Sequence, residues 1–537
     1  MLDVRKNQLH QERNVMDIFL HKVAPYVTGV LSGFDRIVFR GTLRRLFFVE
    51  GIMCYLSAKK VLLKDFGSHV AKVSGRIKDA SKDLAARTSR PYLYLPSSST
   101  SKEQTAREVA VKEKIREGLV CILRSVEPCL SWDLYRNSDT KRLEPVIRHR
   151  KCLHLYHYYL DPVFGFMNAR IQTWFPFNIQ ICVNGRMWLS RQMDEVGIAY
   201  QQSDNCFLWI QDPAKAQELM DSQIKTNWPE TFQGIVHRLN PHYDDILRGF
   251  PAHYYWSVFQ SEWATDIMFR SAKDLARLYP TLIHHTMTTF SSPDVMRFLG
   301  RKIDPSGKIP SQFAGQVVTS LKQRPEGVRV KHRVKSNSLK MYDKDGSVLR
   351  TETTINDPSD FKVYRSKESQ PDSTPDWRSL RKGIADLHRR AQVSQACNNR
   401  YLENLADAQD KTPLKHWTDK LCRPVIWKGK RARALNPYAP DDAELLQAIA
   451  RGELKINGFT NKQLRSILYS RPPSSEADRK RQSSQTTRRI RLLRAHGLVT
   501  KLPKSHRYQL TKRGSKAVTA LICARNSDAD SLAKLAA

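Results

Sequence analysis

The sequence predicts an α+β protein of several domains, with a central mixed or antiparallel sheet and a helical N-terminal region. A chain of 537 residues is longer than one hydrophobic core normally serves. The order of strand-like and helical segments in the middle of the chain is typical of an α+β domain. We predict a mainly helical basic N-terminal region (1–100), a central α+β domain (101–365), a helical basic connector (366–440), a domain of helices and one hairpin (441–527) and a tail (528–537).

The charge of the chain indicates a polyanionic partner. The sequence holds 89 Lys and Arg against 53 Asp and Glu, a formal net charge of +36 and a pI near 9.9. A charge of this size repels itself in a compact fold, and nucleic-acid binding is its commonest use. Because 40% of the residues are hydrophobic, the chain is not a disordered basic tail. We therefore expect nucleic acid, DNA or RNA, as the partner.

Two observations bear on the compartment. The sequence has no run of 18 apolar residues, and its start, MLDVRKNQLHQERN, is polar, so it predicts neither a membrane span nor a signal peptide. The nine cysteines are scattered and never form C-x-x-C, which favours reduced thiols. We expect a cytoplasmic protein, associated with the nucleoid if DNA is its partner, and no membrane partner.

Local patterns place the elements of the N-terminal and central regions. Apolar spacing over 14–20 predicts a helix, and a short strand between glycines follows over 32–41. Helical patterns rich in Lys and Arg return over 42–90. Further strands are predicted over 118–123, 150–159 and 164–173, and a further helix over 176–196.

The segment over 251–280, PAHYYWSVFQSEWATDIMFRSAKDLARLYP, has a helical period of aromatic and aliphatic residues. We therefore predict a helix. Glu262 and Asp266 are four residues apart, so they share one face of this helix. The favoured interpretation is core packing with a solvated Glu–Asp edge. The alternative is that these two carboxylates help to hold a metal ion.

The stretch over 328–365 has the clearest hairpin pattern. Alternating β-rich residues lie on both sides of Lys344-Asp345-Gly346, and a three-residue loop needs a left-handed last residue, which Gly346 supplies. The predicted register pairs Tyr342 with Val348, Met341 with Leu349, Lys340 with Arg350 and Ser338 with Glu352. One face then carries Leu339, Met341, Leu349, Thr351 and Thr353 against a core.

The opposite face of this hairpin groups residues that can handle a phosphodiester: Tyr342, Lys340, Arg350 and Glu352. A carboxylate can hold a divalent ion, cations can hold phosphate, and a tyrosine can act as a nucleophile. The competing interpretation is a solvated sheet face with cross-strand ion pairs, which is common in antiparallel sheets.

A basic patch precedes the hairpin. If residues 329–335 form a strand, four cations lie in one row: Arg329, Lys331, Arg333 and Lys335. Such a row can bind phosphates, and the alternative is an exposed edge strand protected by its charge.

His154-x-x-His157 lies near Cys152 and has the residue types of a metal site. On a strand, Cys152 and His154 share a face while His157 points to the other. The favoured interpretation is therefore histidines packed among aromatic strand residues.

The sequence over 441–527 predicts three helices, a hairpin and a last helix. Thr460 and Thr511 are the predicted N-caps, and Gly497 ends the third helix. This order, with the phrase RLLRAHGLV…HRYQLTKRG, resembles the winged-helix domains of bacterial DNA-binding proteins. The resemblance implies that the third helix enters the major groove and that the hairpin, the wing, touches the DNA backbone. It implies groove-facing Gln485, Thr486, Arg488, Arg489 and Arg491, and wing residues Lys501, Lys504, His506 and Arg507. The alternative is a winged helix used for protein contact.

The segment KMYDK…LRTE, from Lys340 to Glu352, resembles the YDK…RxE segment of plasmid rolling-circle replication initiators of the non-HUH type. The resemblance implies that Glu352 supports a divalent ion, Mg²⁺ or Mn²⁺, and that a tyrosine attacks DNA. Tyr342 lies in the matching strand, and Tyr254 and Tyr255 are further candidates. The His-hydrophobic-His triplet that other rolling-circle nucleases use for metal is absent from the sequence.

Two classes of function follow. The first is a mobile-element or replication-initiator type of DNA nuclease or strand-transfer enzyme, with Glu352, Tyr342, Lys340 and Arg350 catalytic and with Glu352, Glu262 and Asp266 on the metal. The second is a non-enzymatic binder, either an RNA-binding component of a ribonucleoprotein or a DNA-binding regulator. Convergence of the carboxylates with a tyrosine favours the enzyme. The sequence makes no prediction of the oligomeric state.

Overall fold

The computed structural model describes residues 17–96, 100–290, 292–301, 317–324, 327–367, 370, 372–409, 414–450, 454, 459–469, 471, 473–501 and 506–526. The chain divides into two compact units. The first comprises Met1–Pro280, Ser320–His332 and Ser336–Glu403, and the second comprises Thr281–Thr319, Arg333–Lys335 and Asn404–Ala537. Among the helices in the described ranges, none has both the length and the apolar composition that crossing a bilayer requires.

Helices and strands are both abundant, which confirms the predicted mixture of α and β structure. The strands are β1 Val27–Leu43, β2 Tyr92–Tyr94, β3 Gly118–Arg136, β4 Leu143–Asp161, β5 Gly165–Gln172, β6 Ile179–Asn184, β7 Tyr200–Ser203, β8 Cys206–Ile210, β9 Tyr254–Phe269, β10 Val317–Arg324, β11 Gly327–Val334, β12 Asn337–Lys344, β13 Val348–Ile355, β14 Lys362–Arg365, β15 Asp376–Ser379, β16 Val425–Trp427, β17 Lys430–Ala432, β18 Val499–Lys501 and β19 Tyr508–Leu510. The helices are α1 Asp17–Val23, α2 Val49–Ala58, α3 Phe66–Arg87, α4 Lys102–Lys112, α5 Gly185–Glu195, α6 Pro213–Ser222, α7 Trp228–Leu239, α8 Tyr243–Leu247, α9 Ala272–Thr289, α10 Ser292–Phe298, α11 Leu387–Leu405, α12 Leu414–Leu421, α13 Pro440–Ala450, α14 Asn461–Leu468, α15 Glu476–Ala495 and α16 Lys512–Asn526.

An eleven-stranded sheet, most of it in the first unit, has the order β10-β11-β12-β13-β9-β1-β6-β5-β4-β3-β2. The pairings from β12 to β3 are antiparallel, and β2 joins β3 in parallel. The predicted mixed or antiparallel sheet is therefore confirmed. The strand β1 lies at its centre, between β6 and β9, so the N-terminal 100 residues, predicted as mainly helical, contribute a central strand.

One face of the sheet packs against helices α3, α7 and α11. Phe39 on β1 contacts Trp228 and Phe232 of α7, with ring centroids 4.8 Å apart in both pairs. From α11, the buried Asn398 amide donates to the carbonyl oxygens of Trp263 and Thr351, which lie on adjacent strands. Residues 387–403 of α11 lie in the first unit, within the range 366–440 that the sequence predicts as a connector.

The other face carries the candidate site and is covered in part by α4, α5, α6 and the β7–β8 hairpin. The α6 side chain Gln217 bonds to the backbone of Ser32 on β1. A Cβ atom on Gly33 would lie 2.4 Å from Met220 of the same helix. This glycine therefore allows α6 to approach β1 closely.

Two predicted helices are wrong in part. The aromatic segment over 251–280 is the strand β9 followed by α9, and the first half of the predicted helix over 176–196 is the strand β6. The second half of β9 is buried on both faces, so it lacks the alternation that marks a half-buried strand. Glu262 and Asp266 still share a face, because residues four apart also align on a strand.

The predicted hairpin is present as β12 and β13, but its register is shifted by two residues. Lys344 pairs with Val348, and Lys340 pairs with Glu352 instead of Arg350. Gly346 is left-handed as predicted, with φ +71°, and Asp345 precedes it at φ +48°. A shift of two keeps every side chain on its predicted face. However, both faces are buried, so the interpretation as a solvated sheet face is wrong.

The second unit contains the predicted order of helix, helix, helix, hairpin and helix, as α13, α14, α15, β18–β19 and α16. Thr460 forms a capping box with Gln463, and the Thr511 hydroxyl accepts from the Gly514 amide. The core of this unit includes Leu446, Leu464, Ile490, Leu493, Val499 and Val518.

The helix α15 presents most of the predicted groove residues outward. Gln485, Arg488 and Arg491 are exposed, while Arg489 is half-buried and lies 3.9 Å from Asp441. The prediction that Thr486 faces the groove is wrong. It is fully buried and donates to the Gln482 carbonyl, because the inward face of α15 must pack on the core. Of the predicted wing residues, Lys501 and His506 are exposed and Arg507 is half-buried. Lys504 lies outside the described residues.

Candidate metal centre

Three carboxylates converge on the covered face of the first unit. Asp35, Glu262 and Glu352 each offer an oxygen within 4.8 Å of the others. In the described part of the chain, no other group of three His, Cys, Asp or Glu side chains meets this distance. Asp35 and Glu352 are buried, and the Glu262 side chain is 18% exposed. Carboxylate oxygens are the ligands that Mg²⁺ and Mn²⁺ prefer.

The strand registers explain this convergence. Glu352 on β13 pairs with Ala264 of β9, two residues from Glu262 on the same face. On β1, Phe34 pairs with Trp263 and Arg36 with Glu262, so Asp35 is the extra residue of a β-bulge. A bulge redirects the side chain of the extra residue, and bulges are frequent beside active sites. Three adjacent strands thus each supply one carboxylate.

Lys340 is the counter-ion of two of these carboxylates. Its ammonium group lies 3.5 Å from Glu262 Oε1 and makes a short contact with Glu352 Oε1. Burial alone would lower the pKa of Lys340, but the two carboxylates raise it above its ordinary value. The lysine is therefore charged, and it is the cation that a divalent ion must displace or share ligands with.

The two glutamates differ in their protonation. Burial raises the pKa of Glu262, and the neighbouring charge of Glu352 adds to this shift. Burial also acts to raise the pKa of Glu352, but Lys340 outweighs it and lowers the value. Glu352 is thus the firmly ionised member of the pair, and Glu262 is the member that takes up a proton more readily.

Asp266, which the sequence predicts as a metal ligand, is not part of this cluster. Its carboxylate accepts from Arg350 at 2.6 and 2.9 Å and from Arg186 at 3.0 Å. All three side chains are almost fully buried. The register explains the difference, because Asp266 pairs with Arg350 rather than with Glu352. Arg350 also lies 3.2 Å from Asp35, so it connects this ion pair to the triad.

The β7–β8 turn covers the triad on the sheet face that carries the site. The Asn205 side-chain amide donates to both Asp35 oxygens, at 3.0 and 2.8 Å. Its backbone carbonyl accepts from Arg350 at 2.7 Å, and its side-chain oxygen accepts from Lys344. Asp35 is therefore held in place by a turn that sequence reasoning did not connect with the hairpin.

Three partly exposed arginines continue from the triad along the same sheet face. Arg36 pairs in register with Glu262, and Arg40 and Arg170 both pair with Gln180 on β6. Arg36 and Arg40 are four residues apart on a strand, so about 13 Å separates them. Burial and the nearby Arg170 lower the pKa of Arg40, although Arg170 also has Glu127 at 3.1 Å. We call Arg36, Arg40 and Arg170 the basic row.

The candidate tyrosines have different surroundings. Tyr342 lies beside the triad, where burial and Glu352 raise its pKa to about 12, so its phenol is protonated at neutral pH. Tyr254 donates to the Phe177 carbonyl at 2.8 Å. Tyr255 is seven residues from Glu262 along β9, which is roughly 20 Å on a strand. The structure therefore brings Tyr342, but neither Tyr254 nor Tyr255, to the carboxylates.

The predicted row of four cations is only partly formed, and its first member, Arg329, lies over the Tyr342 ring at 5.9 Å. On β11, Arg329 and Lys331 are half-buried and Arg333 is exposed, while Lys335 lies in the following turn with φ +53°. The histidines behave as expected for packed strand residues. The ring of His154 contacts the Cys152 carbonyl, whereas His157 contacts Ser81 on the opposite face.

Sequence reasoning found Glu352, Glu262 and Lys340 but missed Asp35 and the basic row. One signal was available, because Asp35 and Arg36 are charged residues inside an apolar strand pattern between two glycines. Charged residues in a central strand need a partner or a function.

Comparison with protein-family models, with curated proteins and with solved structures found no match for this chain. Its function is therefore inferred from the chemistry of these residues.

Proposed function

We propose that this protein is a nucleic-acid enzyme that cleaves or transfers phosphodiester bonds with a divalent metal ion, Mg²⁺ or Mn²⁺. The observation that carries the proposal is the cluster of Asp35, Glu262 and Glu352, with oxygens within 4.8 Å of one another. A metal held by such carboxylates polarises a phosphoryl oxygen and activates water or a hydroxyl as a nucleophile.

The surroundings of the cluster support a phosphate-bearing substrate. The basic row begins at Arg36, directly beside the most exposed carboxylate, Glu262. Arginines bind phosphate oxygens through two parallel hydrogen bonds and position the backbone of a nucleic acid. The net charge of +36 adds a long-range attraction to any polyanion.

The finer domain layout belongs to the same proposal. The helices α13–α15 and the β18–β19 hairpin act as a winged-helix reader of duplex DNA, and the sheet of the first unit carries the chemistry. Exposed Arg488 and Arg491 on α15, with Lys501 on the wing, support this division.

A second function is favoured by one observation. Lys340 already neutralises Glu262 and Glu352, as it would in a purely structural ion cluster. The protein is then a non-enzymatic binder, an RNA-binding component of a ribonucleoprotein or a DNA-binding regulator. In this case the triad only stabilises the sheet.

Metal binding by the purified, metal-free protein separates the two functions. We expect one Mn²⁺ site by calorimetry, lost in Glu262→Gln and strengthened at least tenfold in Lys340→Met, which removes the competing cation. Glu262→Gln leaves the Lys340–Glu352 pair intact, so it retains the fold. Glu117→Gln, an exposed carboxylate before β3, is the matched control and should bind as wild type.

Cleavage is then measured with labelled single- and double-stranded DNA and RNA in Mg²⁺ or Mn²⁺. Metal-dependent nicking that disappears in Glu262→Gln but persists in Glu117→Gln supports the enzyme. Absence of Mn²⁺ binding in both wild type and Lys340→Met contradicts the enzyme. This result favours the non-enzymatic nucleic-acid binder.

A further inference from the structure

The short sheet of β14 and β15 presents two aromatic rings to solvent. Tyr364 and Trp377 pair directly across the strands, with ring centroids 5.7 Å apart. Their exposed fractions are 62% and 57%. Large aromatic side chains at this exposure are unfavourable in water, so an adjacent pair on one surface indicates a contact made with a partner.

The pair lies in a cationic setting. Residues 361–390 contain eight Lys and Arg against four Asp and Glu. On the same outward face, Lys362 pairs in register with Ser379 and donates to its hydroxyl at 2.9 Å. Lys362 is exposed, so a charged group borders the rings at the level of the sheet surface.

Behind the rings, several guanidinium groups are gathered. Arg365 is 8% exposed and donates to the Ser366 and Ser379 carbonyls at 3.3 Å. Burial and the charges of Arg381, Arg389 and Arg378 lower the pKa of Arg365, and Asp386 opposes this shift only in part. A cluster of like charges beneath an exposed surface is stabilised by an anion on that surface.

We propose that Tyr364 and Trp377, with Lys362 on the same face, form a stacking platform for single-stranded nucleic acid. Every base has a π-face that stacks on an aromatic ring, whereas the bases of a duplex are stacked on each other and are not available. Lys362 can bind a phosphate of the same strand, and the arginines behind the rings add positive charge. An apolar peptide would use the rings but not the surrounding positive charge.

The position of the platform connects it with the basic row. After β15 the chain returns to the large sheet, where the Val258 amide donates to the Lys382 carbonyl at 2.7 Å and Gly383 bridges to Ser257. Ser257 pairs with Arg40 of β1. A strand that stacks on the platform can therefore continue past Arg40 and Arg36 toward the triad. This inference takes its ligand class from the proposed function but does not need the metal.

Binding is measured by fluorescence anisotropy in EDTA, on the Glu262→Gln background, with a labelled 12-mer of thymidine and an abasic 12-mer with the same phosphates. We expect tighter binding of the thymidine strand, reduced about tenfold for each ring removed in Tyr364→Ala and Trp377→Ala. The abasic strand should bind both variants as it binds the parent protein. Lys362→Ala should weaken both strands equally.

Trp209→Ala removes a ring that is 42% exposed on β8 and is the matched control, with no expected change. Equal affinity for thymidine and abasic strands, or unchanged binding in Tyr364→Ala and Trp377→Ala, overturns the platform. A change in sedimentation of the protein alone in these variants, without a change in oligonucleotide binding, assigns the rings to contact with a second copy. Because no metal or cleavage enters this measurement, its failure is distinct from failure of the proposed function.

Discussion

At the scale of single residues, Glu262 gives a pH dependence with a defined sign. Its pKa is raised by burial and by Glu352, so the folded protein holds this proton more tightly than the unfolded chain. Protonated Glu262 therefore adds to the free energy of unfolding. This contribution is fully present below the ordinary carboxyl pKa and is lost as pH rises through the raised pKa of Glu262. We expect metal-free Glu262→Gln to melt above wild type at pH 8 and to match it near pH 4, by calorimetry in EDTA.

The same residue predicts how metal binding depends on pH. A carboxylate must lose its proton to bind a cation, so Mn²⁺ affinity should rise with pH through the raised pKa of Glu262. Isothermal titration in buffers of different ionisation enthalpy should detect proton release. Equal melting temperatures of Glu262→Gln and wild type from pH 4 to 8 would contradict both expectations, and Glu117→Gln is the control.

Asp266 predicts a large effect on stability. Asp266→Asn leaves Arg350 and Arg186 buried without their shared carboxylate. Breaking a buried pair in this way costs about 3–5 kcal/mol in the free energy of unfolding. Urea unfolding at neutral pH measures it. Glu218→Gln breaks the exposed pair with Lys215 and should cause no measurable loss, so equal effects of the two variants would count against this account of the site.

At the scale of elements, Asn398 holds α11 to the sheet beneath the site. Its amide donates to the Trp263 and Thr351 carbonyls, and its oxygen accepts from Thr353 at 2.7 Å. Asn398→Ala leaves buried groups unpaired, and we expect a loss of about 2–3 kcal/mol by urea unfolding. Val393→Ala, half-buried on the same helix, should cost less, and a larger loss there would mean that packing rather than hydrogen bonding holds α11.

The helix α15 carries a separate prediction for DNA reading. Arg488→Ala and Arg491→Ala should each weaken binding of duplex DNA by about 1–3 kcal/mol, because both side chains are exposed on its outward face. Arg525→Ala makes the same change of charge on exposed α16 and should act only weakly. Equal losses in all three variants, by anisotropy, would indicate a general charge effect and not a reading helix.

Local sequence signals predict some features of the strands correctly and miss others. Local signals predicted the β12–β13 hairpin, its faces and its left-handed Gly346, because each depends on neighbouring residues. The pattern has period 2, so it could not separate registers that differ by two residues. The strand β9 was predicted as a helix because burial on both faces removes the alternation. Asp35 was missed because its place depends on a bulge between strands more than 200 residues apart in sequence.

At the scale of the whole molecule, the net charge of +36 predicts binding that depends strongly on salt. Each phosphate neutralised by Lys or Arg releases counterions, so a protein that contacts six to ten phosphates loses about 10³–10⁵ in affinity between 50 and 200 mM salt. The slope of log affinity against log salt counts these contacts. We expect this range for wild type with either a single-stranded or a duplex ligand.

The same measurement apportions the binding among the surfaces of the molecule. Arg488→Ala with Arg491→Ala should flatten the duplex slope by about two contacts, and Arg36→Ala with Arg40→Ala should flatten the single-strand slope by a similar amount. Tyr364→Ala with Trp377→Ala should lower single-strand affinity and leave the slope unchanged, because stacking releases no counterions. If all three double variants changed both slopes alike, the net positive charge of the whole protein would attract nucleic acid without distinct binding surfaces. Separate duplex and single-strand surfaces would then be ruled out.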